Sequence, residues 1–240
     1  MNPSLRTLDF CPELAALYSR DRVRAASGRE FTLTACSTVN NLVILKNLFA
    51  HLKPGRSMEI GMAFGGSCML LAALHRQRDQ TPALRHVAID PFQTNHWERL
   101  GIQALERAGL SAYVEVREEL SSIVLPTMIA RKEQFDLIYI DGSHLFEDVF
   151  IDAYYCCQLT SQNGIMLFDD CRNVHVKKVL KFIRRNMSDH FEEFDLGPFR
   201  EDKGHHLKYR TARILGQIQV VGFKRIGPGA RAWDSPLADF

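Results

Sequence analysis

No run of this 240-residue sequence approaches the ~20 consecutive apolar residues that a bilayer-spanning helix requires. No secretory leader is expected either, since Arg6, Asp9 and Glu13 interrupt any apolar stretch near the start. Paired Cys-x-x-Cys spacing is absent. The six cysteines (Cys11, Cys36, Cys68, Cys156, Cys157 and Cys171) are scattered through mostly apolar surroundings, which predicts small buried thiols and excludes an evident zinc module. Charge of one sign is lacking too. Thirty Lys and Arg stand against 28 Asp and Glu, a net +2, so no broad polyanion-binding field is expected. The densest basic run, Lys177 to Arg185, is interleaved with Val179, Leu180 and Ile183 and predicts the solvated face of an amphipathic helix. Internal repeats and low-complexity tracts are also absent. These absences lead to the expectation of a cytoplasmic globular protein with neither a nucleic-acid nor a membrane partner.

What is present is an alternation of strand-like and helix-like segments. Strands are predicted at 57–60, His86–Asp90, Tyr113–Val116, Phe135–Ile140 and Gly164–Phe168, each a short, largely apolar run. Helices are predicted at Asn95–Gly109, Ser121–Arg131 (with Pro126 as a start or kink) and Glu147–Leu159. Another, carrying Leu42, Leu45, Phe49 and Leu52, precedes Pro54-Gly55. Alternation of this kind implies an α/β fold, with a doubly wound, mostly parallel sheet covered on both faces. Late segments at His190–Phe194 and Ile214–Phe223 are expected to form an antiparallel edge pair. The organisation expected is a single domain over 1–240, with 1–54 as an N-terminal helical extension and 55–225 as the core. The tail after Gly227 is expected to be loosely ordered.

In an open parallel sheet ligands gather outside the carboxyl ends of the strands, and four predicted strands end in residues suited to chemistry. The first carries Glu59 and turns through Gly61, Gly65 and Gly66 to Ser67, in the spacing Glu-x-Gly-x-x-x-Gly-x-Ser. Such a turn lets backbone approach a ligand, and Ser67 either binds a carboxylate at the helix start or caps it. The spacing is not the Gly-x-Gly-x-x-Gly of dinucleotide binding. Asp90 ends the second strand, where a carboxylate can hold both ribose hydroxyls of an adenosine or, alternatively, cap a helix. Asp141 opens the run Asp141-Gly142-Ser143-His144, and Asp169-Asp170 closes the last parallel strand. His144 is a candidate general base, with packing on a cofactor as the other reading, and His175 is a second candidate base.

Together these residues resemble the class I S-adenosylmethionine (SAM) methyltransferases, over about residues 57–170. The run Ile140-Asp141-Gly142-Ser143-His144 followed by Phe146-Glu147 is similar to that of bacterial small-molecule O-methyltransferases of the macrolide-sugar and aminocoumarin group. The order of Glu59, Asp90, Asp141 and Asp169-Asp170 resembles the catechol O-methyltransferase branch. The sugar-methylating relatives carry an aspartate where this chain has Ser143. The resemblance implies a Rossmann-like core and SAM held by Glu59, Gly61, Gly65, Ser67, Asp90 and Asp141, with the adenine meeting Glu119, Leu120 and Ser121. It implies catalysis by His144 and Asp141 on a hydroxyl of a small molecule, assisted by Mg²⁺ at Asp141, Asp169 and Asp170. The residues alone leave the metal open, because Asp169-Asp170 could instead cap the next turn. A homodimer through N-terminal helices is expected from their apolar faces. Two alternatives stand beside this reading: a non-catalytic SAM-binding scaffold and a nicotinamide-dependent oxidoreductase on a similar sheet.

Overall fold

The computed structural model describes residues 7–200, 209, 211–212 and 217–240. Its central feature is a seven-stranded sheet in the order β5-β4-β3-β6-β7-β9-β8. In chain order these strands are β3 (Ser57–Ile60), β4 (His86–Ile89), β5 (Val114–Arg117), β6 (Phe135–Ile140), β7 (Thr160–Phe168), β8 (Phe191–Phe194) and β9 (Val221–Arg225). The pairs β3–β6, β4–β5 and β6–β7 are parallel, whereas β9 runs antiparallel to both β7 and β8. This is the α/β architecture expected, with a mostly parallel sheet and an antiparallel edge pair. Strands β3, β4 and the second half of β7 are buried on both faces, which in β7 accounts for the unbroken apolar run Ile165–Phe168 and in β3 and β4 also buries Ser57, Glu59 and His86.

The described residues fall into two compact units. The first draws on Met1–Lys53, Gly61–Leu120 and Phe199–Glu201. It contains α1 (Pro12–Tyr18), α2 (Val39–Leu52), α3 (Gly66–Arg78), α4 (Leu100–Arg107), β4 and β5. Thr38 caps α2 by accepting from Asn41 N, and Leu42, Leu45, Leu48 and Phe49 form its buried face. Strands β1 (Arg22–Arg24) and β2 (Glu30–Thr32) make a small hairpin that the sequence patterning did not announce. Helix α4 begins later than the predicted Asn95. Glu98 and Arg99 adopt left-handed backbone, with φ of 48° and 58°, and a helix cannot run through them. Buried His75 has its pKa pushed down to about 3 by desolvation, and so stays neutral inside this unit.

The second unit draws on Pro54–Ile60, Ser121–Pro198 and Asp202–Phe240. It holds α5 (Ser121–Ala130), α6 (Phe146–Leu159), α7 (Val174–Asn186) and strands β3, β6, β7, β8 and β9. The basic run does lie on an amphipathic helix: α7 buries Val176, Val179, Leu180 and Ile183 and exposes Lys178, Lys181, Arg184 and Arg185. Strand β7 starts at Thr160, four residues before the predicted Gly164, because α6 passes straight into it; Thr160 Oγ1 donates to Cys156 O at 2.7 Å. Strand β9 is displaced toward the C-terminus relative to the predicted Ile214–Phe223, and residues 214–216 of that range lie outside the described residues. The tail is not loose. Asn186 exchanges hydrogen bonds with the backbone of Ala238, Arg185 Nη1 donates to Asp239 O, and Phe240 packs on Phe182. Cys156, Cys157 and Cys171 are buried thiols whose pKa values are raised by desolvation, that of Cys157 to about 12. Among the described residues no helix is long and apolar enough to cross a membrane.

Candidate functional site

In the first unit the glycine turn and Asp90 form one hydrogen-bonded object. Gly61 N donates to Ile89 O at 2.9 Å and Gly65 N to Met62 O at 2.7 Å, closing the turn on itself and onto β4. Gly65 has φ +83°, and Ala63 is held at φ 44°. Left-handed backbone at a non-glycine residue persists only where neighbours fix it. Asp90 does the fixing. Its Oδ2 accepts from Met62 N (3.1 Å), Ala63 N (2.8 Å) and Gln93 Nε2 (3.0 Å), while Oδ1 accepts from Phe92 N (2.9 Å). The same Gln93 amide donates to Ala63 O at 2.7 Å. Asp90 is 3% exposed and Gln93 fully buried, so the carboxylate sits beneath the turn as its internal clamp.

The turn is also packed tightly from outside. A Cβ on Gly65 would meet Gly101 O at 3.2 Å, and one on Gly101 would come within 2.5 Å of Ala63 O. The first turn of α3 has no side-chain cap at Gly65, so its N–H groups suit an anionic group such as the carboxylate of an amino acid. Ser67 lies in that first turn and is nearly buried. Beyond β5, Glu119 and Leu120 are exposed, and Glu118 is engaged by Arg99 Nη1 at 3.0 Å and by the Thr94 hydroxyl.

In the second unit the acids after β6 and β7 form another network. Asp169 N donates to Ile140 O and Asp141 N to Ile60 O, each at 2.9 Å, which sets both acids just beyond their strands. Glu59 is fully buried within β3, and Ser121 is the first residue of α5. Asp169 faces inward and is 5% exposed. Its Oδ1 accepts from Asp170 N (2.7 Å) and Gln219 Nε2 (3.0 Å), and its Oδ2 accepts from the Tyr139 hydroxyl. Asp170, at φ 50°, turns outward. Its Oδ1 accepts from Gln219 Nε2 and its Oδ2 lies 2.7 Å from His144 Nε2. The Asp170 hydrogen bond raises the pKa of His144 above the ordinary imidazole range, and the same bond lowers that of Asp170.

The loop bearing His144 is pinned at both ends. Ser143 Oγ donates to Asp148 Oδ2 at 2.6 Å, and Phe146 N donates to His175 Nδ1 at 3.1 Å. His175, the second candidate base, thus spends one ring nitrogen capping α6. Within this unit Asp141, His144 and Asp170 place ligand atoms within 4.8 Å of one another. Asp169, the other acid expected beside a metal, keeps both its oxygens on partners within the protein. Sequence reasoning missed Gln93, Gln219 and Tyr139, whose roles carry no motif; only the placement of Tyr139 two residues before Asp141 hinted at a shared direction.

Residues 58–171 match the family described as Methyltransferase domain. No curated protein matches the sequence significantly. Among solved structures, cofactor-bound Rv0187 from MTB is similar with a TM-score of 0.58 and 20% identity, over 81% of this chain and 82% of that one. The SAM complex of the O-methyltransferase TomG from Streptomyces achromogenes, involved in tomaymycin synthesis, gives 0.58 and 15%, over 95% and 91%. An O-methyltransferase from Bacillus cereus bound to SAH (S-adenosylhomocysteine) gives 0.55 and 16%, over 94% and 90%. At such identities these likenesses establish the fold.

Proposed function

We propose that this chain, which has the class I methyltransferase fold, is a SAM-dependent O-methyltransferase acting on a hydroxyl of a small molecule. The observation that carries the acceptor chemistry is His144 Nε2 at 2.7 Å from Asp170 Oδ2 in a half-exposed position. Bound SAM would supply an electrophilic methyl group on its sulfonium sulfur. The residues suited to hold it are the clamped turn Gly61–Gly65, the uncapped start of α3 with Ser67, and the stretch from Glu119 to Ser121. Asp90 supports the turn from inside, and we assign Asp141 to the cofactor or the acceptor.

With SAM bound to supply the methyl group, His144 would take the proton of the acceptor hydroxyl as that oxygen is methylated. Asp170 holds the ring and stabilises the imidazolium that results, as a paired carboxylate does for a histidine base. The other large contribution is alignment of oxygen, carbon and sulfur, worth roughly 7–11 kcal/mol when the geometry is right. No step in this scheme passes through a divalent ion. Calorimetric titration with SAH tests the cofactor half: binding that weakens in Asp90→Ala supports it, and no binding by folded, cofactor-free protein would discard it. A labelled-SAM screen over phenols, catechols and sugars then tests the acceptor half.

A further inference from the structure

The two carboxylates that follow β7 are bridged by an amide. Gln219, two residues before β9, donates from one side-chain nitrogen to Asp169 Oδ1 and Asp170 Oδ1, and its backbone carbonyl accepts from Cys171 N at 2.9 Å. It comes from 49 residues beyond Asp170 and lies outside the stretch 58–171 that matches the methyltransferase domain family. Around it each carboxylate oxygen has a protein partner: Tyr139 and Asp170 N on Asp169, and His144 on Asp170. Adjacent carboxylates repel unless something positive lies between them. Magnesium commonly does so, but it requires oxygens free to close to 2.0–2.1 Å in octahedral geometry. Here the positive end of an amide dipole occupies the bridging position, and one oxygen lone pair cannot serve both.

We propose that Gln219 is a positioning residue that stands where a cation would: its amide bridges Asp169 and Asp170, closes the pair to Mg²⁺, and turns Asp170 Oδ2 toward His144. The disagreement with the three-aspartate metal site is then a property of the chain. Asp141, His144 and Asp170 remain near one another, but a cation among them would have to break the 2.7 Å His144–Asp170 contact. The role of Asp170 as partner of His144 rests on the function proposed above; the closure to metal does not.

The test needs no acceptor. Full-length protein is titrated with Mn²⁺ and followed by electron paramagnetic resonance, with Mg²⁺ as competitor, in wild type, Gln219→Met, Gln219→Glu and Asp170→Asn. Removal of the bridging donor should open the acid pair, so both Gln219 variants should bind Mn²⁺ at least about tenfold more tightly than wild type. The added binding should vanish when Gln219→Met is combined with Asp170→Asn. One Mn²⁺ bound by wild type as tightly as by Gln219→Met, and lost in Asp170→Asn, would overturn the proposal. So would variants that fold, by circular dichroism, yet gain no affinity. If Gln219→Met does not fold, the wild-type and Asp170→Asn titrations still decide, because the carboxylate that Gln219→Glu adds is itself a metal ligand. A parallel SAH titration keeps the two readings separate, since loss of SAH binding would sink methyl transfer and leave the Mn²⁺ outcome standing.

Discussion

Asp90 and Asp170 both follow a parallel strand, and the sequence presents them as equivalents. Their surroundings make them different tools. Asp90 is buried and accepts four hydrogen bonds, all from residues 62–63 and 92–93, so its charge is spent on the shape of one turn. Asp170 has a 37% exposed side chain and divides its oxygens between Gln219 and His144. A carboxylate saturated by backbone N–H groups becomes scaffold; one left half-open beside an imidazole keeps chemistry available. The neighbours, not the strand-end position, decide which.

The sharpest way to break this contrast is Asp90→Ala. It strands buried N–H groups at Met62 and Ala63, and we expect a loss of ~3–5 kcal/mol in urea unfolding and a fall in SAH affinity of roughly 10²-fold. His144→Gln should do the reverse. SAH affinity should be unchanged, while methyl transfer to an acceptor found by screening drops by about 10²- to 10⁴-fold. The pair also carries a pH signature. Because the contact raises the pKa of His144 and lowers that of Asp170, its stabilisation is present between the two, is lost as pH falls through the lowered Asp170 value, and fades as pH rises through the raised His144 value. The base form is therefore gained at higher pH, and Asp170→Asn should move the acidic limb of kcat/KM downward. An Asp170→Asn profile that coincides with wild type would remove Asp170 from the mechanism.

A third carboxylate sharpens the comparison from the other side. Asp152 is 2% exposed on α6, and burial, only partly offset by a Ser121 hydrogen bond, raises its pKa to about 6. Its neutral form favours the folded state, so that contribution is complete below the ordinary 3.8 and is lost as pH rises through about 6. Asp152→Asn should accordingly stabilise the protein by ~2–3 kcal/mol at pH 7.5 and by nothing at pH 3, measured by urea unfolding at both. The weakest case is exposed Glu30, 3.4 Å from Arg22 in the β1–β2 hairpin. Glu30→Gln should cost no more than about 0.5 kcal/mol, and less in high salt.

The parts legible in the sequence were those specified by local pattern. The run Phe135–Ile140 is apolar throughout apart from Asp136 because the strand is buried, and α2 ends where Pro54-Gly55 forbids continuation. The acids at 90, 141, 169 and 170 were visible as candidates for the same reason. What they do was not visible, because it depends on partners brought from elsewhere. Gln219 reaches Asp169 across 50 residues, and no spacing rule connects them. Gln93 lies three residues from Asp90 but reads as an ordinary polar loop residue. The tail escaped notice because Asn186 holds it through backbone groups, which have no side-chain signature.

Gly101 has a consequence for descent. It opens α4 so close to the turn that a single added carbon would lie 2.5 Å from Ala63 O and 2.9 Å from Gln93 Oε1, both part of the framework that Asp90 holds. An ordinary mutation there would press on the glycine turn from behind. A lineage carrying this fold can therefore replace Gly101 only if the 62–65 turn or Gln93 changes with it. Among homologous sequences, position 101 should be either fixed as glycine or altered in step with residues 63 and 93, which would make it a marker of where the 62–65 turn has been rebuilt.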